Sequence, residues 1–255
     1  MKRSGILVIE KGGWSMLNMI ETRISRRSYL DKPLERATAD KLREIVQEEN
    51  LRSGLDIHFI REGEEAFASV RRTYGILEGV QSFFVIKGSK ADPDLKEKAG
   101  YAGERLLLQA AAMGLGTCWV GGTYDNTASV VMPEPGEELI ALIVVGHVQE
   151  AETLHEKNIK ETLPRVQKTP QQRYTASGEV PDWFIRGMEM VVKAPSAGNT
   201  QRPMFHYDNG EVWADVPETE PFDMVDLGIA KLHFEIGACG RFALGNGGRF
   251  FKAQG

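Results

Sequence analysis

Two fifteen-residue stretches of small and apolar residues dominate the hydrophobic pattern of this chain. The first, AGERLLLQAAAMGLG, covers residues 102–116, and the second, DLGIAKLHFEIGACG, covers residues 226–240. Each ends in a glycine, which is typical of the end of a helix that packs against other elements. We therefore predict long helices over 96–113 and 222–238. The similarity of the two stretches is, by itself, weak evidence for an internal repeat.

Shorter predicted elements surround these two helices. Helical spacing predicts three further helices, over 16–22, 39–49 and 183–192. Alternating or continuous apolar patterns predict strands over 55–60, 83–86, 139–145, 204–207 and 211–216. Thr38 is a suitable N-cap for the helix that follows it. The unbroken apolar run at 139–145 indicates a central strand, and Asn209-Gly210 indicates a hairpin turn. The pattern as a whole predicts an α+β protein.

A polar segment divides these elements into two groups. Residues 150–179 contain two prolines and few large apolar side chains, and a connector of this length usually links units or has a function. The predicted organisation has four parts. They are an N-terminal extension (1–15), a first half (16–150), a connector (151–179) and a second, shorter half (180–255).

Charge and cysteine content exclude several classes of protein. Lysine and arginine number 31 against 36 aspartates and glutamates, so a net charge of -5 argues against a general nucleic-acid binder. The two cysteines, Cys118 and Cys239, cannot form a disulfide framework, which favours a reducing compartment. No apolar run approaches the length of a membrane span, and no signal-peptide pattern is recognised. We expect a cytoplasmic protein that binds neither nucleic acid nor membrane. The five histidines are scattered, and no metal site is expected.

Three arginines and two hydroxyl groups lie close together at the end of the first predicted helix. They are Arg23, Ser25, Arg26, Arg27 and Ser28. A guanidinium group matches phosphate oxygens with paired N–H donors, and serine adds a donor with little bulk. The cluster therefore predicts an anion site. The alternative is a solvated, basic helix end.

Two further segments combine turn-forming residues with polar groups. Residues 193–201, KAPSAGNTQ, run from a helix into a turn that would expose backbone N–H groups and amide side chains, which suit the edge of a heteroaromatic ring. Residues 114–122, GLGTCWVGG, contain glycines that let a backbone approach a flat ligand closely. They do not form a GxGxxG motif at the start of a helix. The alternatives are an ordinary helix-terminating loop and a tight helix-to-strand corner.

Together, these segments resemble the motifs of the nitroreductase family, flavoproteins that use FMN to reduce nitroaromatics, quinones and related compounds. The family opens with Ile-x-x-Arg-x-Ser-x-(Arg/Lys)-x-(Phe/Tyr), which leads to Asp-Lys-Pro, and residues 20–34 match this pattern without a gap. The ungapped match selects Arg23, Ser25, Arg27 and Tyr29. It does not select Arg26-Arg27-Ser28 as the motif.

The other two motifs of the family are also present. Ala-Pro-Ser-x-x-Asn-x-Gln is matched by residues 194–201, and Gly-Leu-Gly-Thr-x-Trp-(Ile/Val)-Gly-Gly is matched by residues 114–122. The resemblance covers roughly residues 16–240. It implies a nitroreductase-like fold, in which an antiparallel-rich sheet is flanked by helices.

The order of the motifs departs from that of ordinary members. There, the Ala-Pro-Ser turn follows the arginine motif by a few tens of residues, whereas here it lies more than 160 residues beyond Arg23. Members of the family are intertwined dimers, and each FMN lies between subunits. One subunit gives the arginine motif and the glycine corner, and the other gives the turn. The resemblance therefore implies two unequal half-repeats fused in one chain, with one complete flavin site. The protein would be a monomeric pseudo-dimer or a weak homodimer.

The resemblance also implies a role for each matched residue. Arg23 and Ser25 would hold the phosphate and ribityl end of FMN, and Lys168 is a loose match to a late basic residue at the phosphate. Arg27 would approach the pyrimidine edge, where a cation stabilises reduced flavin. The residues beside the ring would be Trp119, Val120, Gly121 and Gly122, with the Gly121 N–H near flavin N5. The contacts from the other half would be Pro195, Ser196, Asn199 and Gln201. No dedicated catalytic acid or base is implied.

The function that the resemblance implies is that of an FMN-dependent oxidoreductase. Hydride would pass from NADH or NADPH through flavin N5 to a small-molecule acceptor, such as a nitroaromatic or a quinone, by a ping-pong mechanism. A non-catalytic flavin-binding protein, either a sensor or a carrier, is the alternative. A specialised relative that removes halogen or fragments flavin is a third option.

Overall fold

The computed structural model describes residues 16–162 and 168–253, so the predicted N-terminal extension (1–15) lies outside the described residues. The helices are α1 (Met16–Thr22), α2 (Arg36–Ser53), α3 (Val70–Thr73), α4 (Leu95–Ala112), α5 (Leu154–Thr162), α6 (Asp182–Val191) and α7 (Asp223–Ala238). The strands are β1 (Asp56–Ile60), β2 (Ser82–Ser89), β3 (Gly116–Val120), β4 (Glu137–Gly146), β5 (Tyr174–Ser177), β6 (Met204–Asp208), β7 (Glu211–Asp215), β8 (Gly240–Phe242) and β9 (Gly248–Lys252). Among the described helices, none has the length and apolar character that a bilayer crossing requires.

The first half is built on a four-stranded antiparallel sheet in the order β1-β2-β4-β3. Strand β4 lies between two others, so the predicted central position of 139–145 is confirmed. The side chains of β2 are buried on both faces of the sheet. One face packs against α2 and α4, and the other against the segments that precede β2 and follow β3. A sheet covered on both faces explains why these strands have continuous apolar runs.

The second half is built on a five-stranded sheet in the order β5-β6-β7-β9-β8. The predicted hairpin is confirmed, since β6 and β7 are antiparallel and Asn209 and Gly210 connect them with φ angles of 46° and 100°. Both angles are positive, as the tight turns that suit hairpins require. Strand β5 adds to the edge in parallel with β6, and the other described pairs are antiparallel. The predicted α+β class with antiparallel-rich sheets flanked by helices is confirmed.

The two halves have the same order of elements. Apart from the short helix α3, the first half runs α2-β1-β2-α4-β3-β4, and the second runs α6-β6-β7-α7-β8-β9. In each half the four strands are arranged in the sheet in the order first, second, fourth, third. This correspondence supports the prediction of two fused half-repeats, which remains a proposal.

Helices α4 and α7 join the halves at a very close crossing. A Cβ atom at Gly100 would overlap the carbonyl oxygen of Val225, and one at Gly228 would overlap the carbonyl oxygen of Glu97. Both glycines are therefore required by the approach of the two helix backbones. The contact thus explains Gly228 of the second long stretch, and Gly100, which lies just before the first one.

The prediction for the second helix was wrong at both ends. Helix α2 begins at Arg36 rather than after Thr38, and its N-cap is Glu35, without a side-chain capping bond. Glu35 is already held beside the helix start by Lys32 and His147, so the chain enters the helix before the threonine. The helix continues to Ser53, where Gly54 ends it in a left-handed conformation (φ 73°).

The connector contributes structure to both halves. Its helix α5 contacts the first half, where the His155 Nε2 atom lies 3.3 Å from the Ile76 carbonyl oxygen, and its strand β5 joins the second sheet. Residues 163–167, between them, lie outside the described residues. The segment 151–179 is therefore part of the fold and not only a link.

The close crossing predicts whether one substitution raises or lowers the free energy of unfolding. In an isolated helix, Gly→Ala stabilises by roughly 1 kcal/mol. We expect Gly228→Ala to lower the free energy of unfolding instead, by about 1–3 kcal/mol, because α4 and α7 must move apart. Urea denaturation measures this, and Glu189→Ala on the exposed face of α6 is the control. A stabilised Gly228→Ala protein would contradict the crossing.

Candidate functional site

A cavity of about 920 Å³ lies between the two halves. Its walls come from the segment that follows α1, the end of β3, the turn that follows α6, and the first turns of α7. The predicted residues that line it are Arg23, Ser25, Arg27, Trp119, Val120, Gly121, Gly122, Pro195, Ser196, Asn199 and Gln201. The structure thus brings together three segments that are far apart in sequence. Whether they bind FMN stays a prediction.

Lys168, the remaining predicted residue, does not line the cavity. Its amine donates to the carbonyl oxygen of Gln201 at 2.8 Å, and its backbone N–H donates to Gln201 Oε1 at 3.2 Å. Lys168 therefore supports the turn from behind. The connector does place a different cation on the cavity wall, Lys160 of α5.

The arginine motif runs as an extended segment beside β3. Ser25 bridges to Thr117, and the backbone N–H of Arg26 donates to the Thr117 carbonyl oxygen at 2.9 Å. Since successive side chains of an extended segment point to opposite sides, Ser25 and Arg27 face the cavity and Arg26 faces away. The sequence match that selected Arg27 over Arg26 agrees with this placement.

Arg26 is instead buried against a carboxylate of the connector that the sequence did not reveal. Glu156 of α5 accepts from Arg26 Nε at 2.9 Å and from Arg26 Nη2 at 3.1 Å. It also accepts from the backbone N–H groups of Arg27 (2.7 Å), Ser28 (3.3 Å) and Thr153 (2.9 Å). The connector thereby fixes the backbone of the arginine motif. No local pattern could have predicted this, because the partners are 130 residues apart.

These donors keep Glu156 ionised. Burial acts to raise the pKa of Glu156, but the bonds from Arg26 and from the backbone N–H groups outweigh it and lower the pKa to about 2. The carboxylate side chain is fully buried. A buried ion pair with this many donors is well satisfied, and removal of one partner leaves an unpaired charge.

Arg23 presents an unused donor at the cavity wall. Its Nη2 donates to Ser25 Oγ at 3.3 Å, but its Nε atom is buried and has no hydrogen-bond partner among the described residues. The Arg27 Nη1 atom donates to the Ser25 carbonyl oxygen at 3.3 Å, a long bond. An orphaned guanidinium donor is costly unless a ligand completes it.

The glycine corner forms the wall next to this segment. A Cβ atom at Gly122 would meet nothing within 4 Å, whereas one at Gly121 would lie 2.6 Å from the ring of Phe222. The absence of both side chains leaves room for a flat ligand and lets the Phe222 ring pack on the backbone. Phe222, just before α7, is a cavity residue that the sequence analysis missed.

A buried polar network holds Trp119 in this wall. Its Nε1 donates to Glu104 Oε2 at 2.8 Å, and Glu104 Oε1 lies 2.9 Å from His233 Nε2. His233 Nδ1 donates to the Met190 carbonyl oxygen at 3.0 Å. Burial acts to raise the pKa of Glu104, but the bond to His233 and the charge of Arg23 lower it. The network spans α4, β3, α6 and α7, and so it joins the two halves directly behind the cavity. His233 itself is fully buried.

The Ala-Pro-Ser turn (194–201) forms the opposite wall, and hydrogen bonds hold its strained backbone in place. Asn199 and Gln201 have φ angles of 54° and 50°, which side-chain-bearing residues rarely adopt outside functional or turn positions. The Gln201 N–H donates to Ser196 Oγ at 2.9 Å, and Gln201 Nε2 donates to Asn199 Oδ1 at 3.2 Å. From below, Asp226 accepts the N–H of Ala197 with both carboxylate oxygens, at 3.0 and 3.1 Å.

Positive groups outnumber negative ones in the described lining. The charged residues are Arg23, Arg27, Lys160 and Lys193 against Glu21 and Asp226. Lys193 and Glu21 form an ion pair of 3.0 Å between the second and first halves. This balance suits an anionic ligand at the end near the arginine motif.

The Arg26–Glu156 pair predicts a pH-dependent stability. Glu156 has a pKa near 4.5 when unfolded and about 2 when folded, so its contribution is present above pH 4.5 and is lost as the pH falls toward 2. We expect Glu156→Gln to lower the free energy of unfolding by about 3 kcal/mol at pH 7, and by much less at pH 3. Urea denaturation at the two pH values checks this, with Glu161→Gln, exposed on the same helix, as the control. If Glu156→Gln lowered the free energy of unfolding equally at pH 7 and pH 3, the prediction would be wrong.

Comparison with known proteins agrees with the resemblance. The family model described as "Putative TM nitroreductase" matches residues 15–238. A crystal structure of a nitroreductase from Thermotoga maritima is 19% identical, covers 97% of this chain and 97% of that chain, and has a TM-score of 0.61, which shows a common fold. A nitroreductase in complex with FMN from Desulfovibrio desulfuricans is 20% identical, covers 60% of this chain and 100% of that chain, and has a TM-score of 0.42. No curated protein matches this sequence.

The match to the family model spans most of the chain. It includes the arginine motif (20–34), the glycine corner (114–122) and the Ala-Pro-Ser turn (194–201), the three segments that meet in the cavity. The chain therefore belongs to this nitroreductase family.

Proposed function

We propose that this protein is an FMN-dependent oxidoreductase and that the cavity between its halves is the flavin site. The observation that carries the proposal is the unpartnered Nε of Arg23, which lies in a wall that also carries Ser25 and Arg27. A phosphate group would complete that donor, and guanidinium–phosphate bonds are among the strong hydrogen bonds of proteins. The volume of about 920 Å³ falls within the range of cofactor pockets.

The remaining walls suit the rest of FMN. Gly121 and Gly122 expose backbone where a flat ring can approach, with the Gly121 N–H proposed to meet flavin N5. Arg27 is proposed to lie at the pyrimidine edge, where its charge stabilises reduced flavin. Trp119 and Val120 complete that wall, as proposed ring contacts. The opposite contacts, to the ring and the ribityl chain, are proposed for Pro195, Ser196, Asn199 and Gln201.

In this proposal FMN carries out the electron transfer, and the chain binds and orients FMN and the substrates. When bound, FMN supplies two-electron transfer through N5, from NADH or NADPH to a nitroaromatic, a quinone or a similar acceptor, in a ping-pong sequence. The chain's own residues bind and orient: the arginine segment holds the anionic tail, and the braced turn fixes the amides of Asn199 and Gln201. Pre-set polar groups of this kind need no rearrangement during the reaction.

We also propose that the chain is a fused pseudo-dimer with one complete site. The equal order of elements in the two halves supports a duplication, and the arginine motif is present only in the first half of the sequence. The state in solution is proposed to be a monomer or a weak homodimer, and the location is proposed to be the cytoplasm.

The Arg23 assignment predicts a change in flavin affinity. Arg23→Ala removes charge-assisted phosphate bonds worth roughly 1.5–3 kcal/mol each, so the Kd for FMN should rise about ten- to hundredfold. Fluorescence titration of the apoprotein measures it, and the wild type should saturate at one FMN per chain. Arg36→Ala, whose side chain is 92% exposed, is the control. An unchanged Kd for Arg23→Ala would argue against the phosphate role.

The catalytic assignment has a direct spectroscopic test. The yellow holoprotein should bleach on addition of NADH or NADPH under nitrogen, and the flavin absorbance should return when a quinone is added. The absorbance at about 450 nm is the readout, and boiled protein with the same FMN content is the control. Protein that binds FMN but stays yellow would indicate the alternative, a non-catalytic flavin sensor or carrier.

A further inference from the structure

A carboxyl group in the cavity wall forms no ion pair within the described part of the chain. Asp226, in the first turns of α7, lines the cavity and is only 3% exposed. Its two oxygens share a single described donor, the N–H of Ala197. Within the described ranges 16–162 and 168–253, no lysine, arginine or histidine nitrogen forms an ion pair with it. Around it the wall is apolar, with Val225 and Ile229 on the same helix.

This environment favours the protonated form. Burial raises the pKa of Asp226 to about 7, against the bond from Ala197, and the like charge of Asp223 adds to the rise. Two cations from other elements act to lower this pKa, Arg173 just before β5 and Arg202 after the turn. Arg202 is itself paired with Asp223 at 2.8 Å. Of the other charged residues in the wall, Glu21 and Lys193 neutralise each other.

The contrast with Glu156 relates the raised pKa of Asp226 to its surroundings. Both carboxyl groups are buried, and each bonds to a segment that forms the cavity: Glu156 to the arginine motif and Asp226 to the turn. Glu156 has five described N–H donors, two of them from the Arg26 guanidinium, and its pKa falls to about 2. Among the residues that the structure describes, Asp226 has one N–H donor and no ion pair. Two carboxyl groups in such different surroundings commonly have different chemical roles.

We propose that Asp226 is a general acid of the cavity and that it protonates the acceptor during reduction. The inference rests on the proposed flavin site. A quinone that becomes a hydroquinone gains two electrons and two protons, which arrive as one hydride and one proton. Reduced flavin supplies the hydride with its electron pair. The Asp226 carboxyl group supplies the proton to a quinone oxygen as its O–H bond breaks, and the carboxylate then takes a proton from water.

The test separates proton transfer from electron transfer. Reduced holoenzyme is mixed anaerobically with a benzoquinone, which needs a proton, or with ferricyanide, which takes one electron at a time and needs none. In the wild type, the quinone rate should fall as the pH rises through about 7, since Asp226 loses its proton. In Asp226→Asn, the ratio of the quinone rate to the ferricyanide rate should fall at least tenfold and lose that pH dependence.

Asp223→Asn is the matched control. It keeps Asp226 and removes the neighbouring like charge, so the inflection of the quinone rate should move to lower pH without disappearing. The amide oxygen can still accept the N–H groups of Thr219 and Glu220 that Asp223 binds.

A readout on the flavin-free protein tests the acid itself. With ¹³C-labelled aspartate, one carboxyl resonance of the apoprotein should titrate near pH 7, and it should be missing in Asp226→Asn. If the resonance that Asp226→Asn removes titrates near pH 4, or if the rate ratio is unchanged in Asp226→Asn, the assignment of Asp226 is wrong. Neither result contradicts the flavin site. A wild-type protein that binds no FMN would overturn the flavin site as well.

Discussion

The close crossing of α4 and α7 is the contact on which the cavity depends. Helix α4 leads into the glycine corner of the first half, and α7 carries Asp226 in the second half. Because Gly100 and Gly228 allow the two backbones to touch, the arginine segment and the Ala-Pro-Ser turn are held at opposite walls of one cavity. The Glu104–His233 pair crosses the same interface, fully buried, and fixes Trp119 in the wall.

Three buried carboxyl groups near the cavity differ in the number of donors and in the charges that each one faces. Glu156 is saturated with N–H groups and braces the arginine motif. Glu104 is shared between an indole and an imidazole and links the halves. Asp226 accepts from a single N–H of the described residues, and its pKa is higher than those of the other two. Such buried polar groups are stabilising only where they are satisfied, which makes their partners part of the site.

Backbone strain is concentrated in the turn of the second half. The left-handed conformations of Asn199 and Gln201 each cost on the order of 1–3 kcal/mol. Lys168, Ser196 and Asp226 provide the bonds that offset this cost. The brace from Lys168 gives that residue a role in the fold, whereas the motif resemblance had assigned it to the phosphate. Lys160 is the connector cation that reaches the wall instead.

Local sequence patterns were sufficient to locate most of the elements and the three motifs. Periodicity located α4, α7, the central strand β4 and the Asn209-Gly210 hairpin, because burial and turn geometry act on neighbouring residues. The motif match selected Arg23, Ser25 and Arg27, and these residues do line the cavity. The choice of Thr38 as N-cap misplaced the start of α2. There, Lys32 and His147 hold the side chain of Glu35, and His147 is more than a hundred residues away.

The residues that support the site could be recognised only in the folded chain. Glu156, Glu104, His233 and Asp226 have ordinary sequence surroundings, and their properties come from partners that folding brings to them. The pKa of a buried carboxyl group depends on the donors and charges that surround it in space, and those come from distant segments of the chain. For the same reason, the need for glycine at positions 100 and 228 became evident only when two helices from different halves were seen to touch.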